Sequence, residues 1–145
     1  MTSSIPAANS TARGRRALPT WQAVAGAAVL AAVVNLIVLF IGDAAGASLV
    51  LKLNGKSDEI VASGVIFMSV AAPVIGITAT VLLARWKPVF LRVGQFVGGG
   101  VALLTAIGPL TFDTDGGTAA TLITMHLFVG FVVVAALEAI RRSRA

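Results

Sequence analysis

The run over residues 118–140 limits what this chain can fold into more than any other stretch. It stays apolar on every face for longer than the roughly 20 residues that a helix rising about 1.5 Å per residue needs to cross a bilayer, whereas a soluble helix of that length keeps a polar face. The run carries the only histidine, His126, and leads into Arg141, Arg142 and Arg144. A hydrophobic fraction of 57%, with 12% charged residues and a mean hydropathy of +0.95, lies outside the habit of soluble globular domains, and 145 residues suit one domain.

Three earlier runs repeat the pattern, at residues 20–41, 60–84 and 90–110, the third starting near Val89 or Val93. Residues 1–19 are rich in Ser, Thr and Ala without apolar periodicity and read as a disordered tail containing Arg13, Arg15 and Arg16. A basic start, an apolar run and Ala45-Gly46-Ala47 resemble a secretory signal, but the run exceeds the roughly 7–15 residues of a signal core and is read as a retained span. Pro73 predicts a kink in the second span, which neighbouring helices can accommodate in a membrane. Arg85-Trp86-Lys87-Pro88 reads as an interfacial corner, and Gly108-Pro109 as a helix end or distortion.

The basic residues fall in clusters between apolar runs, which argues for membrane topology and against nucleic acid despite a net charge of +5. Arg85, Lys87 and Arg92, with Arg141, Arg142, Arg144 and the tail arginines, would lie on one side, against Lys52 and Lys56 on the other. The positive-inside rule then places both termini in the cytoplasm and makes the first set cytoplasmic anchors. In the outer loop, residues 43–59, alternating Leu49, Leu51 and Leu53 followed by Asn54-Gly55 allow a short hairpin. Lys56-Ser57-Asp58-Glu59 is poor strand material, so a plain solvated loop is an equal reading.

Polar residues inside the spans share faces with small ones. Asn35 lies with Ala28, Ala31 and Ala32; Ser69 with Ala72, Pro73, Gly76 and Thr80; Thr105 with Gly94, Gly98, Ala102 and Gly108; His126 with Ala119 and Gly130. Small residues let helices approach and polar ones bond across the contact, so these faces are expected to meet, with Gly76, Gly94, Gly98 and Gly130 as packing positions. Asn35, Ser69, Thr105 and His126 would all sit roughly 9–13 Å below the outer surface and form one candidate polar site opening outwards. Two readings stand side by side: polar glue between helices, worth about 0.6 kcal/mol per contact, or a binding or proton-handling site built on the imidazole. Gln95 reads as interfacial near the cytoplasmic end, and Glu138 as an ion-pair partner of Arg141 and Arg142.

Other motifs carry no chemistry. Thr111-Phe112-Asp113-Thr114-Asp115-Gly116-Gly117-Thr118 glances at phosphatase and calcium-loop signatures but lacks the sheet of the first and the distal Glu of the second, and reads as a turn capping the last span. Gly98-Gly99-Gly100 lacks a strand-turn-helix setting for phosphate binding. With no cysteine, one histidine and no intramembrane carboxylate beside it, neither a metal site nor a nucleophile, base and orienting acid in one layer is visible, and no cofactor is expected.

The Leu51-Lys52 and Gly55 loop, the second span running to Arg85, the Gly108-Pro109 end and Thr124-Met125-His126-Leu127 resemble a domain-of-unknown-function family of small actinobacterial four-span membrane proteins. The likeness covers nearly everything after the tail, and Met-His in the last span is its most specific element. It implies a multi-pass membrane protein without assigned activity, substrate or cofactor, and carries no catalytic residues over to this chain.

The expected fold is all-α: an integral membrane four-helix bundle of antiparallel up-down spans, with a basic tail at 141–145. The expected role is non-enzymatic association with lipid, another membrane protein or a second copy, in the cell (inner) membrane. The alternative is a small transporter or ligand-binding bundle using His126. The two separate on whether a cavity of ligand size touches that histidine.

Overall fold

A computed structural model describes residues 19–53 and 55–144. The expected disordered tail with its three arginines, and Asn54 of the expected turn, lie outside the described residues. Four long helices dominate: α1 (Thr20–Ala44), α2 (Ala62–Leu83), α3 (Phe90–Ile107) and α4 (Gly116–Ser143). Each is long and apolar enough to cross a membrane. They form where the sequence offers unbroken apolar runs, and they end where it offers turn chemistry. The Arg85–Pro88 corner separates α2 from α3. Gly108-Pro109 tightens the end of α3 into a 3₁₀ turn, Gly108–Leu110. The chain then starts α4 from Asp115, whose side chain accepts the Thr118 N–H as an N-cap. Helix α2 runs through Pro73 without losing its helical assignment.

The helices do not pack evenly. Helix α2 packs on α1, α3 packs on α4, and α1 and α4 join the two pairs, whereas α2 meets α3 and α4 only sparingly. The order around the molecule is therefore α2, α1, α4, α3, with a seam between the two helices that follow each other in the chain. Two apolar clusters hold the pairs together. One contains Ala27 and Ala31 of α1, Ile77 and Val81 of α2, Leu91 of α3, and Val132, Leu137 and Ile140 of α4. The other contains Leu39, Val65 and Met125, with Ala47 and Leu49 of the loop between α1 and α2. The opposite faces carry large exposed apolar side chains, among them Phe40, Phe67, Phe96, Leu104 and Phe131. Such a girdle on all sides is foreign to a soluble surface.

Between α1 and α2 the loop forms a hairpin, β1 (Val50–Leu53) and β2 (Lys56–Glu59), antiparallel with Val50 opposite Glu59. Gly55 supplies the positive φ, +78°, that its turn needs. Of the two readings left open by the sequence, the hairpin is the observed one. Tertiary contacts hold β1 along the edge that β2 leaves free: Lys52 N–H donates to Asp113 O at 3.1 Å, and Thr114 Oγ1 donates to Val50 O at 2.8 Å. The α3–α4 turn thus acts as a third edge for the ribbon.

Candidate functional site

A cavity of about 740 Å³ lies in the seam. Its walls come from three helices, at the three- and four-residue spacings of a helix face. Helix α2 contributes Gly64, Met68, Ala72 and Gly76; α3 contributes Gly94, Gly98, Val101 and Thr105; α4 contributes Leu122, His126, Val129 and Gly130. Asn35 of α1 reaches it, and Glu59 and Val61 at the end of the hairpin form its outer rim. Two close approaches bound the cavity. A Cβ on Gly94 would fall on the side chain of Thr80, so α2 and α3 touch beside the Arg85–Pro88 corner and separate towards the hairpin. A Cβ on Gly130 would fall on Ala102, which presses α3 against α4.

The four candidate polar residues, Asn35, Ser69, Thr105 and His126, all line this one cavity. They are not equivalent. Asn35 and Ser69 are 3% and 2% exposed and join α1 to α2, with Nδ2 donating to Ser69 Oγ at 2.8 Å. This pair forms a polar layer between the two apolar clusters, since Ala31 and Ile77 lie to one side of it along their helices and Leu39 and Val65 to the other. Asn35 Oδ1 is buried with no partner among the described residues. Thr105 is exposed in the seam and donates back to Val101 O at 2.8 Å. His126 is half-buried, and its Nδ1 lies 2.7 Å from Leu122 O. A carbonyl only accepts, so Nδ1 carries the proton and Nε2 is left as an acceptor.

The glycines expected to pack divide into two kinds. Gly94 and Gly130 sit where another helix touches, and a Cβ on Gly98 would meet Val133 at 3.2 Å. Gly76 stands differently: a Cβ there would meet nothing within 4 Å, because its helix face opens on the cavity. A close approach that pattern reading did not single out is Gly42 against Thr121, which brings α1 onto α4. Rim residue Glu59 and wall residue Met68 were likewise not singled out as site residues, since the first belongs to a polar loop segment and the second does not break the apolar pattern of its span.

The ends of the molecule are also built. At the hairpin end, Asp115 accepts from Thr118 N at 2.9 Å, from Thr118 Oγ1 at 2.6 Å, and from the Ser48 hydroxyl and N–H. These bonds, the Ser48 hydroxyl first and then Thr118, hold the Asp115 carboxyl well below the usual carboxylate range. At the other end Glu138 pairs with Arg141 at 2.8 Å and Arg142 at 2.7 Å, and Gln95 Nε2 donates to it at 3.0 Å from α3. Arg85, Lys87 and Arg92 lie at this same end, where Leu91 and Ala84 pack with Ile140. Among the described residues no three His, Asp or Glu side chains converge to hold a metal ion.

These observations define a helical protein of four mutually packed helices, each of membrane-crossing length, around a laterally open cavity. The chain belongs to the family of unknown function DUF6069, which it matches over residues 15–143. Comparison with curated proteins and with solved structures finds no match.

Proposed function

We propose that this is a non-enzymatic protein of the cell (inner) membrane, crossing it four times with both termini in the cytoplasm, that binds an apolar ligand in the seam between α2 and α3. The observation that carries the reading is the cavity itself. Its volume of about 740 Å³ falls within the roughly 300–1,000 Å³ usual for small-molecule sites, and a few polar groups stand on mostly apolar walls. The girdle of exposed Phe, Leu, Ile and Val supports residence in lipid, and the clustering of Arg85, Lys87, Arg92, Arg141 and Arg142 at one end supports a cytoplasmic corner there. On this topology the hairpin is external and the polar layer lies in the outer half. His126 serves the ligand as a hydrogen-bonding contact. The bilayer is the standing partner, and self-association or a second membrane protein would compete for the same seam.

Native mass spectrometry of the protein extracted in mild detergent tests the reading. The wild type should retain a bound small molecule that Gly76→Leu loses, since a Cβ at this position meets nothing within 4 Å and the side chain built on it enters the cavity. A bare wild-type chain, or equal retention by both proteins, would refute it.

A further inference from the structure

The polar groups on the cavity wall narrow the ligand class, on the premise that the cavity is a ligand site. Asn35 is buried with one amide end bonded to Ser69 and the other unpaired. Turning the amide over only exchanges which end is orphaned. Ser69 Oγ accepts that bond and, among the described residues, makes no other, so its hydroxyl proton is unused. His126 adds Nε2, an acceptor once Nδ1–H is given to Leu122 O. The wall therefore offers at least one free acceptor and one free donor around a shared space. A hydroxyl group is both donor and acceptor, and it satisfies either orientation of the amide.

Charge excludes the commoner lipids from seating their headgroups here. Among the described residues no Lys or Arg lines the cavity, and the one charged residue that does is Glu59, at the rim. Ser69 lies seven residues into α2, about 10 Å below the helix start. A phosphate or carboxylate held at that depth would be desolvated with no cation to meet it. From Ser69 to Thr80 the cavity continues for about 16 Å along α2, past Ala72 and Gly76, which are exposed in the seam. That is room for a hydrocarbon chain, with a lateral opening through which it can enter.

We propose that the cavity takes up, from the bilayer, a neutral long-chain lipid with a free hydroxyl, seating the hydroxyl between Asn35, Ser69 and His126 and the chain between α2 and α3. The full chain in phosphatidylcholine vesicles is photolabelled with hexadecanol carrying a diazirine in its alkyl chain. Labelling should be saturable, fall on peptides of α2, α3 and α4, and be competed about tenfold better by hexadecanol than by hexadecyl methyl ether or palmitate, the worth of one net hydrogen bond. Butanol should not compete, which separates a membrane source from a water-soluble alcohol. Gly76→Leu, and independently Ala72→Leu, should reduce labelling more than tenfold with an unchanged helical circular dichroism spectrum. Equal competition by the alcohol, the ether and palmitate would overturn the hydroxyl assignment and leave an apolar site standing; competition by butanol would overturn the lipid source. Labelling that does not saturate, or that both variants leave unchanged, would overturn the site itself. Crosslinking of these peptides to a second copy, unaffected by hexadecanol, would make the occupant another protomer and overturn the proposal as well.

Discussion

At the scale of single residues, the Asn35–Ser69 pair shows why a polar side chain survives in an apolar core. The bond ties α1 to α2 between two apolar clusters, at a level where neither helix has another polar link. Interhelical bonds in lipid average about 0.6 kcal/mol and reach about 1.7. Ser69→Ala should therefore lower unfolding stability in detergent by about 1 kcal/mol, read from SDS titration of the helical signal, and no loss would remove the pair from the fold's support. Asp115 is a different kind of residue. It accepts four hydrogen bonds, two of them from Ser48 across the chain, and its carboxyl is depressed by them. The folded form holds its proton more weakly than the unfolded form, so the stabilisation is whole at neutral pH and fades as pH falls from about 4 downwards. Protection of the Ser48 and Leu49 amides against exchange, corrected for the intrinsic slowing of exchange in acid, should fall on acidification in the wild type and be low throughout in Asp115→Ala; protection unchanged by either would contradict the network. Leu49, which anchors the same loop, is buried at φ +52°, held by its N–H to Thr118 Oγ1 at 2.9 Å and by Ile60 N–H to its own carbonyl at 2.8 Å. Nothing in a leucine advertises a left-handed backbone, which explains why the sequence alone left this loop unresolved.

At the scale of elements, the four helices were legible and their mutual spacing was not. Apolar runs of about 20 residues interrupted by residues 43–59, by Arg85–Pro88 and by Asp113–Gly117 dictate four long helices. The polar members of those runs stand out because they are few, and Asn35, Ser69, Thr105 and His126 do share one space. A stripe of small residues is ambiguous by nature: it permits close approach, and it equally leaves room when no helix approaches. Gly94 and Gly76 follow the same spacing rule, yet one lies under Thr80 and the other beside a void. The difference is set by which helices pair, and that depends on contacts between distant segments. Gly130→Leu should drive α3 from α4 at Ala102 and destabilise by about 1–3 kcal/mol, whereas Gly76→Leu should be neutral or stabilising in the same SDS titration. The wedge shape is open to a second check, because the chain has no cysteine of its own. A Thr80→Cys, Gly94→Cys pair should oxidise to a disulfide readily, and a Gly76→Cys, Gly98→Cys pair slowly or not at all. Equal rates would mean that α2 and α3 run side by side and enclose nothing.

At the scale of the whole molecule, the charged residues gather at the two ends. The hairpin end carries Lys52 with Asp113 and the capped Asp115; the other end gathers Arg85, Lys87, Arg92 and the Glu138 pairs. Between them the surface is apolar on all sides, so the molecule needs lipid or detergent to remain dispersed. The proposed uptake of a bilayer ligand through the seam, and the outward position of the polar layer, both depend on how this polarity is set across the membrane. Single cysteines settle that directly. Asp58→Cys in the hairpin should react with a membrane-impermeant maleimide on intact cells, and Trp86→Cys at the α2–α3 corner should react only after the cells are permeabilised. Labelling of Trp86→Cys from outside, or recovery of the chain in the soluble fraction, would contradict the four-crossing topology on which the account rests.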